Sequence, residues 1–316
     1  MLKKILGLLL LVIVAALALI YLFIPSEIEV SASTGIFCTE KNVNDCVHDT
    51  AVWKRWWPAD EKHHEVQNHL FRYNGDEYLI KQPLANGAEI QLTHGNTAYP
   101  TKFMVLPGGK DSALVIWSTG IHAGRNPLSR LSAYFKGKEI QDNLESILAH
   151  LHDFAQHTEN LYGFPIERTT FTDTVLLATR FSTSSYPDLS SIYAAIHDIR
   201  VQIARAGAVE KDHPMLNVHA IDSNHYETMV AICTDRMIDA PPPFFLSRMV
   251  AMKDRFLKTE VQGGPGRIRQ AHEAVIRYME DHFLSQPAIP FEILVTERNQ
   301  EKDSSKWKTV IFYPSM

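Results

Sequence analysis

Two stretches of this chain lie 76 residues apart and carry the same pattern, and that duplication constrains the fold more than any other feature. "YPDLSSIYAAIHDIRVQI" (Tyr186 to Ile203) aligns with "QGGPGRIRQAHEAVIRYM" (Gln262 to Met279), placing Ile192 on Ile268, Ala195 on Ala271 and Ile199 on Val275. The apolar residues recur at helical period in both copies, so each is an amphipathic helix. Downstream, "HPMLNVHAI" (His213 to Ile221) falls on "IPFEILVTE" (Ile289 to Glu297), with proline second in each. The copies close on "YETMVAIC" and "WKTVIFYP", the second reached through a loop five residues longer. Each unit therefore reads strand, helix, strand, strand, over about 165–240 and 244–316, joined by the stiff linker "DAPPPFF".

One position separates the copies chemically. In "IPFEILVTERN", Phe291, Ile293 and Val295 alternate with Glu292, Leu294 and Thr296, so the Glu292 carboxylate shares a strand face with Leu294. Its repeat partner is Leu216, so the architecture does not require an acid there. A carboxylate among apolar neighbours is costly to desolvate unless a cation, a donor or protonation compensates. The alternative is an edge position facing water. On the final strand Trp307, Thr309, Ile311 and Tyr313 share one face, which makes Trp307 and Tyr313 the expected aromatic wall beside Glu292.

The first half reads differently. "EIEVSAS" is followed by a helical segment, "TEKNVNDCVHDTAVWKRWWPAD", in which Trp53, Trp56 and Trp57 fall at i, i+3, i+4 and Pro58 ends the helix. Strands follow from about Glu65 to Ile121, broken by Asn74-Gly75, Asn86-Gly87 and Gly108-Gly109. "KGKEIQDNLESILAHLHDFAQHTENLYG" then carries Ile140, Leu144, Ile147, Leu148, Leu151 and Phe154 at helical period. A long helix after a curled antiparallel sheet would cover its concave face and leave a cavity, with the tryptophans as lining or as ordinary core.

With "VWKRWWP" in its first helix and "NPLSRLSAYF" before its last, this half (27–163) resembles the SRPBCC superfamily of START and polyketide-cyclase-like domains. That resemblance implies a helix-grip cup for apolar ligands. The second half (164–316), with "GGPG", "IPFEILV" and "WKTVIFYP" in order, resembles the GyrI-like effector-binding domain also found in AraC-type and MerR-type regulators. This resemblance implies a cleft between two repeats with a glutamate at the position of Glu292. It also implies either binding of lipophilic cations or hydrolysis of small electrophiles. The expected fold class is α+β.

The N-terminus adds an anchor. Ile5 to Ile24 are 20 residues without a charge, enough for a helix to span about 30 Å of hydrocarbon. The alternative is a cleaved signal, for which the run is long and the "SAS" at Ser31 a weak site. Lys3 and Lys4 precede the run while Glu27 and Glu29 follow it, which places residues 1–26 as a single-pass anchor with a cytoplasmic N-terminus. In a bacterium the remainder lies in the periplasm.

Net charge −5, without a long Lys/Arg run or a zinc-finger spacing, argues against a nucleic-acid partner. Cys38, Cys46 and Cys233 lack CxxC spacing, leaving one bridge, Cys38 to Cys46, open. No GxSxG nucleophile motif occurs. His150, Asp153 and His157 at i, i+3, i+7 read as a solvated face rather than a metal site, and no cofactor is implied. "GGPG" (Gly263 to Gly266) is either an anion nest or a loop starting the helix. The expected function is binding of a hydrophobic or cationic small molecule by Glu292, Trp307 and Tyr313. A hydrolase would instead use Glu292 as general base and Tyr313 to place substrate. A third reading is an envelope protein-interaction module.

Overall fold

The computed structural model describes residues 2–58, 69–109, 111–172, 174–249 and 252–316, in two compact units, 1–157 and 158–316. Both are mixed α+β, each built on one antiparallel sheet.

The first unit opens with α1 (Leu2–Phe23), whose segment Lys4–Phe23 is long and apolar enough to cross a membrane, a test that a signal sequence also passes. Leu8, Leu11 and Leu22 stand exposed on it. Then come β1 (Glu27–Ile36), α2 (Glu40–His48), α3 (Thr50–Trp56), β2 (Leu70–Tyr73), β3 (Asp76–Leu84), β4 (Gly87–His94), β5 (Thr97–Gly109), β6 (Ser112–His122) and α4 (Pro127–Ala155). The sheet order is β1-β6-β5-β4-β3-β2. Asn74 and Gly75 both take positive φ, 47° and 83°, the two-residue turn that matches strand twist between β2 and β3.

Two expectations need correction here. The single helix expected over Thr39 to Asp60 is broken at Asp49, whose extended backbone (φ −98°, ψ 107°) ends α2 while its carboxylate accepts the Ala51 N–H and caps α3. Residues 59–68, including the last of that segment, lie outside the described residues. The long helix starts nine residues earlier than its apolar period indicates, because Asn126 caps it and Pro127 takes its first turn; "NPLSRLSAYF" is therefore helix, not lead-in. The aromatic side chains pack the interior: Trp53 lies within 4.6–6.1 Å of Trp56, Trp57, Phe71 and Phe103, centroid to centroid. The Trp53 and Trp57 indoles donate to Val47 O (2.7 Å) and Arg72 O (2.9 Å), which satisfies their polar edges. Cys38 and Cys46 are buried free thiols, each pushed up to about 12 by burial first; the neighbouring Cys46 raises Cys38 further.

The second unit comprises α5 (Thr158–Tyr162), β7 (Glu167–Phe171), β8 (Thr174–Thr183), α6 (Leu189–Arg205), β9 (Met215–Asp222), β10 (His225–Thr234), β11 (Phe245–Met249), β12 (Met252–Gln262), α7 (Pro265–Asp281), β13 (Phe291–Leu294) and β14 (Lys308–Pro314). Both α6 and α7 have 17 residues and start 76 positions apart, as do β9 and β13. The sheet order is β11-β8-β10-β9-β13-β14-β12-β7. Read from the centre outward, β9-β10-β8 mirrors β13-β14-β12. Each copy also has a leading strand that sequence periodicity did not separate, and these are exchanged: β7 pairs with β12 of the other copy, and β11 with β8. "GGPG" starts α7, with Gly264 as its cap residue and Pro265 in its first turn.

Both helices cover one face of the sheet. Ile192, Ile196, Ile199 and Ile203 of α6 pack on Leu177, Val230 and Ile232. Ile268, Ala271 and Val275 of α7 pack on Leu257, Val261 and Ile311. The opposite face carries a second apolar cluster that includes Phe256, Phe291, Ile293 and Phe312.

Candidate functional site

Glu292 sits at the centre of this duplicated unit. On β13 it is the direct cross-strand partner of Leu216, the residue equivalent to it in the other copy, so the pseudo-twofold relating the copies passes between the two side chains. The face they share is the helix-covered one: Leu216 and Leu294 pack with α6. Glu292 is only 8% exposed.

Three partners compensate that burial. Arg298 Nη2 donates to Glu292 Oε2 at 3.0 Å and to Thr309 Oγ1 at 2.8 Å. His272 Nε2, from α7, lies 3.3 Å from Glu292 Oε1, and its Nδ1 lies 2.8 Å from the Tyr313 hydroxyl. A neutral imidazole protonated on Nε2 satisfies both contacts, donating to the carboxylate and accepting from the phenol. Burial pushes the Tyr313 phenol up to about 12 and the Glu292 charge adds to it, which keeps the phenol a donor. For Glu292, burial alone would raise the carboxyl. The His272 hydrogen bond and the charge and hydrogen bond of Arg298 outweigh it and hold the group below its ordinary range, ionised.

Arg298 reaches the carboxylate from the β13–β14 loop, the one with five extra residues. Its guanidinium carbon lies 5.2 Å from the Trp307 ring centroid, and its backbone N–H donates to the Tyr193 hydroxyl of α6 at 2.5 Å. Arg298 Nε is buried without a hydrogen-bond partner. The loop is fixed on both sides. Arg200 of α6 bridges Glu297 at 2.7 Å and Glu210 at 2.9 Å, and the Trp307 indole donates to Glu301 O at 2.9 Å. Tyr186 lies within electrostatic reach: desolvation and then the charge of Glu292 raise its phenol, against Arg298.

Glu292 is thus buried rather than at a solvated edge, and among the described residues His272 and Arg298 contact its two carboxylate oxygens. The expected trio divides between its two sides. Tyr313 reaches Glu292 through His272, and Trp307 reaches it through Arg298. Sequence reading missed His272 and Arg298. The repeat held a signal for the first: 76 positions before His272 stands Ile196, and 81 before Tyr313 stands Ile232, both buried in the apolar cluster under α6. Glu292, His272 and Tyr313 together replace a Leu, Ile, Ile set. Thr228, equivalent to Thr309, keeps its hydroxyl buried without a partner, where Thr309 accepts from Arg298.

No protein-family model and no curated protein matches the chain. Among solved structures, the C-terminal domain of EcmrR is 16% identical with a TM-score of 0.42, covering 48% of this chain and 98% of that one. SAV2435 bound to tetraphenylphosphonium is 15% identical with a TM-score of 0.32, over 48% and 93%. A START superfamily protein from Mycobacterium smegmatis is 17% identical with a TM-score of 0.24, over 39% and 98%.

Proposed function

We propose that this chain is a membrane-anchored small-molecule-binding protein, with a START-like first unit and a GyrI-like second unit whose Glu292 cluster receives an apolar organic cation. The observation that carries this reading is the Arg298 guanidinium, an internal cation held between the Glu292 carboxylate at 3.0 Å and the Trp307 ring at 5.2 Å. An acid and an aromatic face are what a delocalised ligand cation needs. The other copy manages with Leu216, so the fold gives no reason for the acid. The loop carrying Arg298 would be displaced as the ligand enters, its side chain yielding acid and ring to the incoming cation. The segment Lys4–Phe23 tethers the chain, and its removal should release the protein from membranes.

The hydrolase alternative is less well supported. A general base needs a pKa suited to its working pH and access to the attacking water. Glu292 is held below its ordinary range and both its oxygens are occupied, while the Tyr313 hydroxyl contacts His272 rather than an open space. The test uses tetraphenylphosphonium as probe. Arg298→Ala, which vacates the acid and the ring, should bind it at least tenfold more tightly than wild type, and Glu292→Gln should bind it at least tenfold more weakly. Equal affinity in all three would refute the assignment.

A further inference from the structure

We infer that the second unit carries another binding site, on the sheet face away from the helices, for a neutral or anionic aromatic compound. That face is not symmetric. In one half Phe291 stacks on Phe312 (centroids 5.1 Å apart, planes at 15°), Phe171 meets both edge-on at 87°, and Phe256 closes the group against Phe171 at 5.6 Å. The strand registers map these four rings onto the other half. Phe256 pairs with Pro314 as Leu176 pairs with Cys233, and Lys258 pairs with Glu167 as Ala178 pairs with Phe245. Phe171, Phe256, Phe291 and Phe312 therefore correspond to Met249, Leu176, Met215 and Ala231.

All four replacements line one cavity of about 440 Å³, together with Met229 and Phe291. The volume that aromatic rings occupy on one side of the pseudo-twofold is open on the other. A cavity of this size and apolar lining suits a drug-sized ligand. Three methionines adapt to flat rings and make sulfur–aromatic contacts. The shape to be filled is the one the twin half fills with stacked and edge-on rings. Among the described residues the lining holds no carboxylate, and Glu292 points to the opposite face. Those described lining residues offer a cation no counter-charge. This site is separate from the Glu292 cluster, so either can fail without the other.

The test titrates the full chain in lipid nanodiscs with 1-anilinonaphthalene-8-sulfonate, with empty nanodiscs as background. Wild type should show one saturable site. Met215→Phe combined with Ala231→Phe, which copies the filled half, should weaken it at least tenfold while β13 and β14 keep their hydrogen-exchange protection. Absence of a saturable site in wild type, or unchanged affinity in the protected double variant, overturns the proposal. If the double variant loses protection, photolabelling of wild type with the azido derivative decides. Adducts on Met215, Met229 or Met249 support the site, and adducts confined to other residues overturn it.

Discussion

Replacing Glu292 with the leucine of its twin separates a structural acid from a functional one. The Glu292→Leu side chain would join Leu216 and Leu294, so it gains apolar contacts. It also strands Arg298, whose side chain is only 7% exposed, leaving its Nη2 with Thr309 alone. Breaking a buried pair from one side costs about 3–5 kcal/mol, whereas replacing both partners with apolar groups is neutral or stabilising by about 1–4 kcal/mol. Glu292→Leu should therefore destabilise the second unit by about 3–5 kcal/mol, and adding Arg298→Met should recover all or nearly all of it. His272 loses an acceptor in both variants but is partly exposed, so water can replace it. The readout must be local, because the two units need not unfold together. Four of the five tryptophans (Trp53, Trp56, Trp57, Trp117) belong to the first unit, so bulk fluorescence follows the wrong one. Urea-dependent hydrogen exchange in peptides from β13 and β14 reports the second unit directly. If the single variant matched wild type to within about 1 kcal/mol, or the double variant were as unstable as the single, the ion pair would not be the buried interaction described here.

Other outcomes follow from the same geometry. The folded Glu292 carboxyl is held below its ordinary range, so its stabilisation is complete above the unfolded-chain value of about 4.3 and fades as pH falls through the lower folded value. The stability gap between wild type and Glu292→Gln, followed by thermal unfolding from neutral pH downward, should narrow only in that acid range. Gly87 has φ 145°, and a Cβ there would lie 2.0 Å from Phe103 O in the neighbouring strand. Gly87→Ala should cost the first unit more than the about 1–3 kcal/mol of backbone strain alone, read by fluorescence of its four tryptophans. Arg200 and its partners Glu210 and Glu297 are each about a third exposed. Arg200→Ala should lower second-unit stability by under about 1 kcal/mol in the same hydrogen-exchange assay.

How much of this was legible in the sequence depended on whether a signal was periodic or long-range. The helices of the repeat and the 76-residue offset could be read because burying a helix face forces a 3.6-residue period on both copies. Glu292 stood out because its twin is leucine. The same comparison, carried to Ile196 and Ile232, would have exposed His272 and Tyr313 as members of one polar set. Arg298 had no such signal: it lies in the β13–β14 loop, which is five residues longer than its counterpart in the other copy, and only the folded loop brings it back onto β13. The break at Asp49 was hidden because Asp can either continue a helix or cap a new one. The leading strands β7 and β11 are short edge strands whose partners lie in the other copy, a pairing that local pattern does not encode.

That exchange of leading strands has a consequence for how the second unit could have arisen and how it can be cut. Each copy lends its outermost strand to its sibling, so a break in the backbone at Pro241 to Pro243 leaves two fragments that each lack an edge and hold one belonging to the other. Neither fragment should fold alone, and mixing them should restore the whole. Such mutual dependence lets one half drift toward new chemistry while the other goes on supplying the scaffold.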